Sequence, residues 1–281
     1  MNAMISAPPL DQAALWNGPA GQAWIDSQML LDELFAPFAD HLAESIGLAG
    51  ASRILDIGCG TGATTLAAAR RLGWAGRATG VDISQPMIDL ARARATTEDL
   101  PAEFHCADAQ EYDFPQKAFD MAISRFGVMF FGDSVGALAN IRCAMVPGGA
   151  LHAIVWRGPR ENGFMTTAER AAAPLLPALP PRKPDTPGQF AFADSERVLG
   201  ILWDSGWSEI AVEPLDVECS FPASALLAYV TRLGPLGIFL RQASAADRDR
   251  VVAAVLPAFD PFVDGDQVRF TAACWTITAR A

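Results

Sequence analysis

Between Arg53 and Trp156, short apolar runs alternate with alanine-rich helical stretches without a break, and no other feature limits the fold so strongly. Arg53–Ile57 (RILDI) runs straight into glycines, as a strand buried on both faces of a parallel sheet does. The pattern then predicts a helix over 64–72, a strand over 78–81, a helix over 86–95 with Pro86 in its first turn, and a third strand over 103–106. Phe119–Ser124 (FDMAIS) reads as a fourth strand, 135–145 as a helix closed by Pro147-Gly148-Gly149, and Ala150–Trp156 as a fifth strand. Such alternation specifies an α/β fold with a doubly wound, mostly parallel sheet.

The flanks follow other rules. Residues 1–15 read as a loose lead, and from Gly21 to Ile46 the residues Trp24, Met29, Leu30, Leu34, Phe38, Leu42 and Ile46 recur at helical spacing despite Pro37. Residues 1–50 are therefore expected to form an N-terminal helical cover. After Trp156, residues 158–192 hold Pro159, Pro174, Pro177, Pro180, Pro181, Pro184 and Pro187, which predicts a long, loosely packed lid around a short helix. A helix is expected over 195–205. Ser208–Cys219 and Gln267–Arg280 alternate like strands, with helical stretches over 223–242 and 244–256 between them. The reading is one domain over 51–281, with an antiparallel strand pair at the sheet's edge and insertions at 158–192 (lid) and 221–262 (helical cap).

Composition narrows the partners. The 281 residues are 51% hydrophobic and carry a formal charge of −11, so the chain can build a large core while its surface repels polyanions. Nucleic acid and anionic membrane are poor partners for it. The five cysteines are scattered without a C-x-x-C pair or a nearby histidine, so neither a disulfide framework nor a bound metal is expected. With no secretory leader and no run of transmembrane length to read, a cytoplasmic location is expected.

The chemistry is concentrated where the first strand ends, at Asp56-Ile57-Gly58-Cys59-Gly60-Thr61-Gly62. Glycines allow a tight turn and close approach of the backbone to a ligand, and the following helix offers free N–H groups. Gly58-x-Gly60-x-x-Ala63 also satisfies the dinucleotide fingerprint, so a NAD-dependent oxidoreductase is the competing reading. Asp56 separates the two. A carboxylate at the carboxyl end of this strand repels a pyrophosphate but attracts S-adenosylmethionine (SAM), which carries an ammonium and a sulfonium. Asp82 ends the second strand, twenty residues beyond Gly62, where an acid accepts ribose hydroxyls or caps the next helix.

Taken in order, ILDIGCGTG, GVDIS with Met87, CADAQ, FDMAISRFGVMFF and VPGGAL resemble the Rossmann-like class I SAM-dependent methyltransferases, most closely small-molecule enzymes similar to the ubiquinone/menaquinone-type methylases. The likeness spans roughly residues 50–157. It implies that Asp56, Gly58 and Gly60 line the methionine and sulfonium end, that Asp82 holds the ribose, and that Ile83 and Met87 pack on the adenine. It further implies that Asp108, with Ala109 adjacent, accepts from the adenine amino group. Arg125 would contact the methionine portion through its backbone, with its side chain free to pair with the carboxylate. Trp16 and Trp24 stand where related enzymes place an aromatic cover, and a cation–π contact there is worth about 0.5–2 kcal/mol; Trp24 serves equally well as an anchor of its helix. SAM is then the cofactor and S-adenosylhomocysteine the product, unless the domain has become a non-catalytic binding module.

The acceptor is bounded by what is absent. No Asn/Asp/Ser-Pro-Pro-aromatic tetrapeptide follows the fourth strand; Ser124-Arg125-Phe126-Gly127 stands in its place, which with the negative charge argues against macromolecular substrates. His41 lies in an N-terminal helix within possible reach of the crevice, while His105 and His152 fall inside strands, so no general base is assigned. Phe164, Met165, Phe190, Phe192, Tyr229, Leu233, Leu236 and Phe239 in the insertions are expected either to line a site for a small, largely apolar acceptor or to form an ordinary core.

Overall fold

The structure is a computed structural model and describes residues 11–176 and 186–281. Four helices open the described chain: α1 (Gln12–Trp16), α2 (Pro19–Asp26), α3 (Gln28–Leu34) and α4 (Ala36–Ala49). The alternating half follows as β1 (Arg53–Ile57), α5 (Ala63–Leu72), β2 (Arg77–Asp82), α6 (Gln85–Glu98), β3 (Ala102–Cys106), β4 (Phe119–Arg125), α7 (Ser134–Ala144) and β5 (Met145–Trp156). Next come α8 (Gly163–Ala172), α9 (Ser195–Asp204), β6 (Ser208–Pro222), α10 (Leu226–Arg232), α11 (Gly234–Leu240), α12 (Ala245–Val255), β7 (Val263–Asp264) and β8 (Gln267–Arg280).

The sheet has the order β3-β2-β1-β4-β5-β8-β6, with β7 paired to β8. β3 through β5 run parallel, and β8 and β6 are antiparallel to their neighbours. Chain order reverses between β1 and β4, so their carboxyl ends flank the crevice where open α/β sheets bind ligands. Ile54, Leu55 and Ile57 on β1 and Met121, Ala122 and Ile123 on β4 are buried, which is why this part of the sequence reads as continuous apolar runs.

Several expected boundaries shift for local reasons. The single apolar periodicity over 21–46 is cut into α2, α3 and α4 by breaks at Ser27 and Phe35. Pro37 sits in the first turn of α4, where its missing N–H costs nothing. Part of the expected loose lead is the helix α1, capped by the Asp11 carboxylate accepting from the Ala14 N–H. β5 begins at Met145 and takes in Pro147-Gly148-Gly149, where the Gly148 N–H donates to the Ala281 carbonyl. The stretch 223–242 breaks at Leu233, because Pro235 opens α11.

β6 and β8 are much longer than β5 requires. β5 pairs with β8 only from Cys274 to Arg280, whereas β6 and β8 remain paired out to Pro222↔Gln267. The projecting half of this ribbon is the platform for α8 and α10–α12. Phe164 on α8 stacks on Phe270 at 3.9 Å and 5°, with Phe221, Tyr229, Phe259 and Phe262 around it. Asn162 fastens the start of α8: its Nδ2 donates to the Ala273 carbonyl at 2.9 Å and its Oδ1 accepts from the Ala273 N–H at 3.0 Å.

This packing corrects the expectation of a loosely held segment over 158–192. Phe164 and Phe192 are buried, the Gly188 N–H donates to the Met129 carbonyl, and Trp275 donates through Nε1 to the Ala193 carbonyl. Pro177, Pro180, Pro181 and Pro184 lie outside the described residues. Pro174 follows the end of α8, and the described parts of the segment are held by these contacts.

Replacing Asn162 by Ala leaves the buried Ala273 N–H without its partner, while the Ala273 carbonyl keeps the Arg157 N–H at 3.0 Å. One orphaned buried N–H costs about 1–3 kcal/mol, so N162A is expected to lose about 1–3 kcal/mol of stability in urea unfolding, with the parallel sheet intact by circular dichroism.

Candidate cofactor crevice

The crevice is built on the turn between β1 and α5. Gly58, Gly60 and Gly62 have φ of 68°, 54° and 87°. At Gly58 the demand is spatial as well: an added Cβ would stand 2.6 Å from the Cα of Gly127, so two backbones meet where β1 and β4 end. At Gly60 the situation is the opposite. A Cβ there would meet nothing nearer than the Met87 Sδ at 3.7 Å, so it would project into the open cradle.

Asp56 is the most constrained group in this region. It is only 1% exposed; Oδ2 accepts from the Thr65 hydroxyl at 2.6 Å, and Oδ1 is buried with no hydrogen-bond partner. Burial pushes its pKa up to about 7, against the stabilising Thr65 hydrogen bond and the positive charge of Arg125; the Asp82 carboxylate pushes it further up. A half-satisfied carboxyl facing a second acid is a receptor for a positive group.

Asp82 closes the opposite wall. Its Oδ2 accepts from the Gly60 N–H at 2.8 Å and its Oδ1 from the Ser84 N–H at 2.9 Å. Burial raises its pKa, and these backbone donors from Ser84 and Gly60 oppose the rise. One lone pair on each oxygen is used, leaving one on each for a diol. The Ala107 N–H donates to the Asp82 carbonyl at 2.9 Å, which brings the turn after β3 alongside. There the Asp108 Oδ1 holds the Gln110 N–H at 2.9 Å, while buried Ala109 turns its carbonyl to Asn140 on α7. Asp82 and Met87 thus meet the glycine turn at Gly60, and the turn carrying Asp108 and Ala109 is joined to β2 through the Ala107–Asp82 bond.

The N-terminal helices roof it. Ser84 Oγ donates to the Trp16 carbonyl at 2.7 Å, and Asn17 clamps the turn after β2 by donating to the Ile83 carbonyl at 3.0 Å and accepting from the Gln85 N–H at 2.9 Å. The Trp16 ring meets Trp24 and Phe130 edge-on at 5.9 and 5.2 Å, and Trp24 stacks on Phe35 at 6.4 Å. Trp24 therefore anchors α2 against Trp16 and Phe35. The Arg125 Nη1 donates to the Phe35 carbonyl at 3.2 Å, and its guanidinium lies 5.6 Å from the Phe35 ring. Burial lowers its pKa, and the negative charges of Asp32 and Asp56 counter that.

Several contributors were not read from the sequence. Thr65 sits one turn into an alanine-rich helix, Arg94 on α6 donates to the Thr61 carbonyl at 2.7 Å, and Asp32 pairs with Arg94. Phe126 lies at φ 68° after β4, which turns its ring onto Trp156 at 4.7 Å and 17°. His41 packs against His152 on β5 at 5.3 Å, and His152 Nε2 lies 2.8 Å from the Thr276 hydroxyl. Burial, with His41 nearby, holds the His152 pKa down at about 4. His41 therefore meets the sheet, and His105 lies by Tyr112 at 6.0 Å.

The strand order, the glycine turn and the paired acids define the class I methyltransferase architecture, and residues 54–149 match the family described as a methyltransferase domain. Residues 54–149 thus form a methyltransferase domain of Rossmann-like fold. It is 36% identical over 120 residues to an aklanonic acid methyltransferase of a Streptomyces species, covering 42% of this chain and 54% of that one. It is 26% identical to the nocamycin O-methyltransferase of Saccharothrix syringae, covering 80% of this chain and 83% of that one. The chain covers 54% to 62% of the lengths of the first curated relatives it matches. In fold it is similar to the YcgJ protein of Bacillus subtilis, at TM-score 0.55 and 17% identity, covering 85% of this chain and 97% of that one.

Asp56 yields a prediction about folding alone. Its folded pKa is raised, so between about pH 4 and 7 the unfolded chain releases a proton that the folded one keeps, and stability falls as pH rises through that window. Asp56→Asn is expected to flatten this slope in denaturant titrations at pH 4.5–8. At pH 8 the variant should be more stable than the wild type by about 1–3 kcal/mol, from the charge it no longer buries.

Proposed function

We propose that the crevice binds SAM and that the protein transfers its methyl group to a small, largely apolar acceptor. The observation that carries the reading is the buried Asp56 Oδ1 without a partner, beside a glycine cradle open at Gly60. Those two features fit a ligand with a cationic end and a close backbone contact. When bound, such a cofactor supplies an electrophilic methyl on a sulfonium, open to in-line attack by an acceptor nucleophile.

Each residue then has a task. Asp56 receives the ammonium, directly or through water, and is charged by it. Asp82 holds the ribose hydroxyls while its existing bonds keep the Gly60 and Ser84 backbones in place. Ile83 and Met87 pack on the adenine, and Asp108 accepts from its amino group, with Ala109 behind. Gly58 and Gly60 line the methionine end. Trp16 and Trp24 roof the site and exclude water, which strengthens every charge interaction beneath them. Arg125 acts on the methionine portion through its backbone, and its guanidinium, with one N–H given to the Phe35 carbonyl, keeps donors for the carboxylate. A protein base is not required where the acceptor ionises readily.

The small-molecule acceptor is supported by the negative surface and by aromatic rings at the crevice mouth, Phe130 among them. We place the acceptor between the N-terminal cover (1–50) and the inserted segments at 158–192 and 221–262 of the SAM-binding domain (51–281). Phe164, Phe192 and Leu236 are buried in that unit, so its partly exposed residues Met165, Phe190, Tyr229, Leu233 and Phe239 are the better candidates for contact.

Two measurements test the cofactor site. Asp82→Ala loses two charge-assisted hydrogen bonds of about 1.5–3 kcal/mol each, discounted for replacement by water. The expected result is SAM binding weakened roughly 30- to 1000-fold in calorimetry; wild-type affinity would remove the ribose assignment. Gly60→Val projects a branched side chain into the cradle and should abolish SAM binding while circular dichroism still reports a folded α/β protein. Normal binding by that variant would move the cofactor elsewhere.

A further inference from the structure

We propose that α2 and α3 act as a strap joining the glycine loop to the helical cap, so that filling the cofactor crevice also closes the acceptor side. Its positioning residues are Asp32 and Arg94 at the loop end and Asp26 and Arg241 at the cap end. The proposal rests on the reading of the glycine crevice as the SAM site.

The loop end is built around one guanidinium. Arg94 donates through Nη1 to the carbonyl of Thr61, which lies between Gly60 and Gly62, and through Nη2 it pairs with Asp32 on α3. Gln28 Nε2 donates to the same Asp32 oxygen at 2.5 Å. The side chains of Arg94 and Asp32 are 17% and 25% exposed, so the pair is only partly screened by water. A shift of the glycine loop on ligand binding is thus passed to α3 through a single side chain. A second tie runs from β4, where Arg125 holds the Phe35 carbonyl at the end of α3, and the Phe35 ring stacks on Trp24 in α2.

The cap end is looser. Asp26, the last residue of α2, lies 3.3 Å from Arg241 Nη2 through its Oδ2, and its carbonyl accepts from Arg232 Nη1 at 3.4 Å. The Arg241 and Asp26 side chains are 31% and 42% exposed, and exposed pairs of this kind hold weakly and are screened by salt. Between the two ends, α2 and α3 meet at Ser27, whose Oγ is buried without a partner. A joint with an unsatisfied hydroxyl, a firm contact on one side and a weak one on the other is suited to swing. It releases the cap first and stays attached to the loop.

The consequence is a direction of coupling. A ligand that orders the glycine loop fixes α3 through Arg94, fixes α2 through the joint, and so stabilises the Asp26 contact with α10 and α11. The cofactor is then expected to precede the acceptor, and the acceptor pocket is complete only when the cofactor is in place.

The test uses S-adenosylhomocysteine as the probe and hydrogen exchange as the readout. In the wild type, the probe should slow exchange in residues 19–34 and also in 226–240. Arg241→Glu should bind the probe within about threefold of wild-type affinity and still protect 19–34, but no longer protect 226–240. The swap Asp26→Arg with Arg241→Asp should restore cap protection, which a merely structural lesion would not allow. Arg94→Ala should release the probe ten- to a hundredfold faster in stopped-flow, on the order expected when a cover loses its latch. Protection of 226–240 that persists in Arg241→Glu, or that is absent in the wild type while calorimetry shows the probe bound, overturns the strap. If calorimetry shows no binding to the wild type, the cofactor reading itself fails and the strap falls with it.

Discussion

A carboxyl group buried in a parallel strand is expensive, and Asp56 is held there with only one of its oxygens satisfied. Most of the site can be understood as the surroundings of that group. Thr65 on α5 supplies one hydrogen bond, Arg125 on β4 supplies distant positive charge, and Asp82 on β2 adds a second negative charge. Nothing among these neutralises Asp56 fully. The fold keeps an acid whose stable partner is missing, and its position beside an open glycine cradle makes a cationic ligand the natural completion. Pyrophosphate would meet two carboxylates at close range, which is the physical argument against the dinucleotide reading of the same glycines.

The fold divides its work between two kinds of sheet. The parallel half places strand ends and helix starts around one crevice, with the near contact of Gly58 and Gly127 setting how closely β1 and β4 converge. The antiparallel half reaches past the parallel one and is covered by α8 and α10–α12, which gives the helical cap a rigid base. Between them, the N-terminal helices touch both parts: Asn17 on the turn after β2, Phe35 on the aromatic cluster of Phe38, Phe126 and Trp156, and Asp26 on the cap. The N-terminal helices therefore join structural units of which the family match covers only one.

The aromatic residues also explain how a methyl transfer could proceed without a protein base. Trp16, Trp24, Phe35 and Phe130 form a connected set of edge-on and stacked rings. Such a set excludes water and presents negative ring faces to positive charge. The histidines that might have served as bases are engaged elsewhere, His41 and His152 with one another and with Thr276.

The sequence alone determined the parallel core, its glycine turn and the acids at its strand ends, because these depend on local spacing. A strand buried on both faces must be a short apolar run, a turn with positive φ favours glycine, and a carboxylate at a strand end is read directly from its position. It also marked the antiparallel edge pair, since alternation survives in Gln267–Arg280. What it left open was decided by contacts between residues far apart in the chain. The breaks at Ser27 and Phe35, the turn of Arg125 toward Phe35, the clamp of Arg94 on Thr61 and Asp32, and the seating of Asn162 on Ala273 carry no local periodicity. Each arises because a buried polar group must find its partner wherever tertiary packing puts one, and that search has no signature in the order of neighbouring residues.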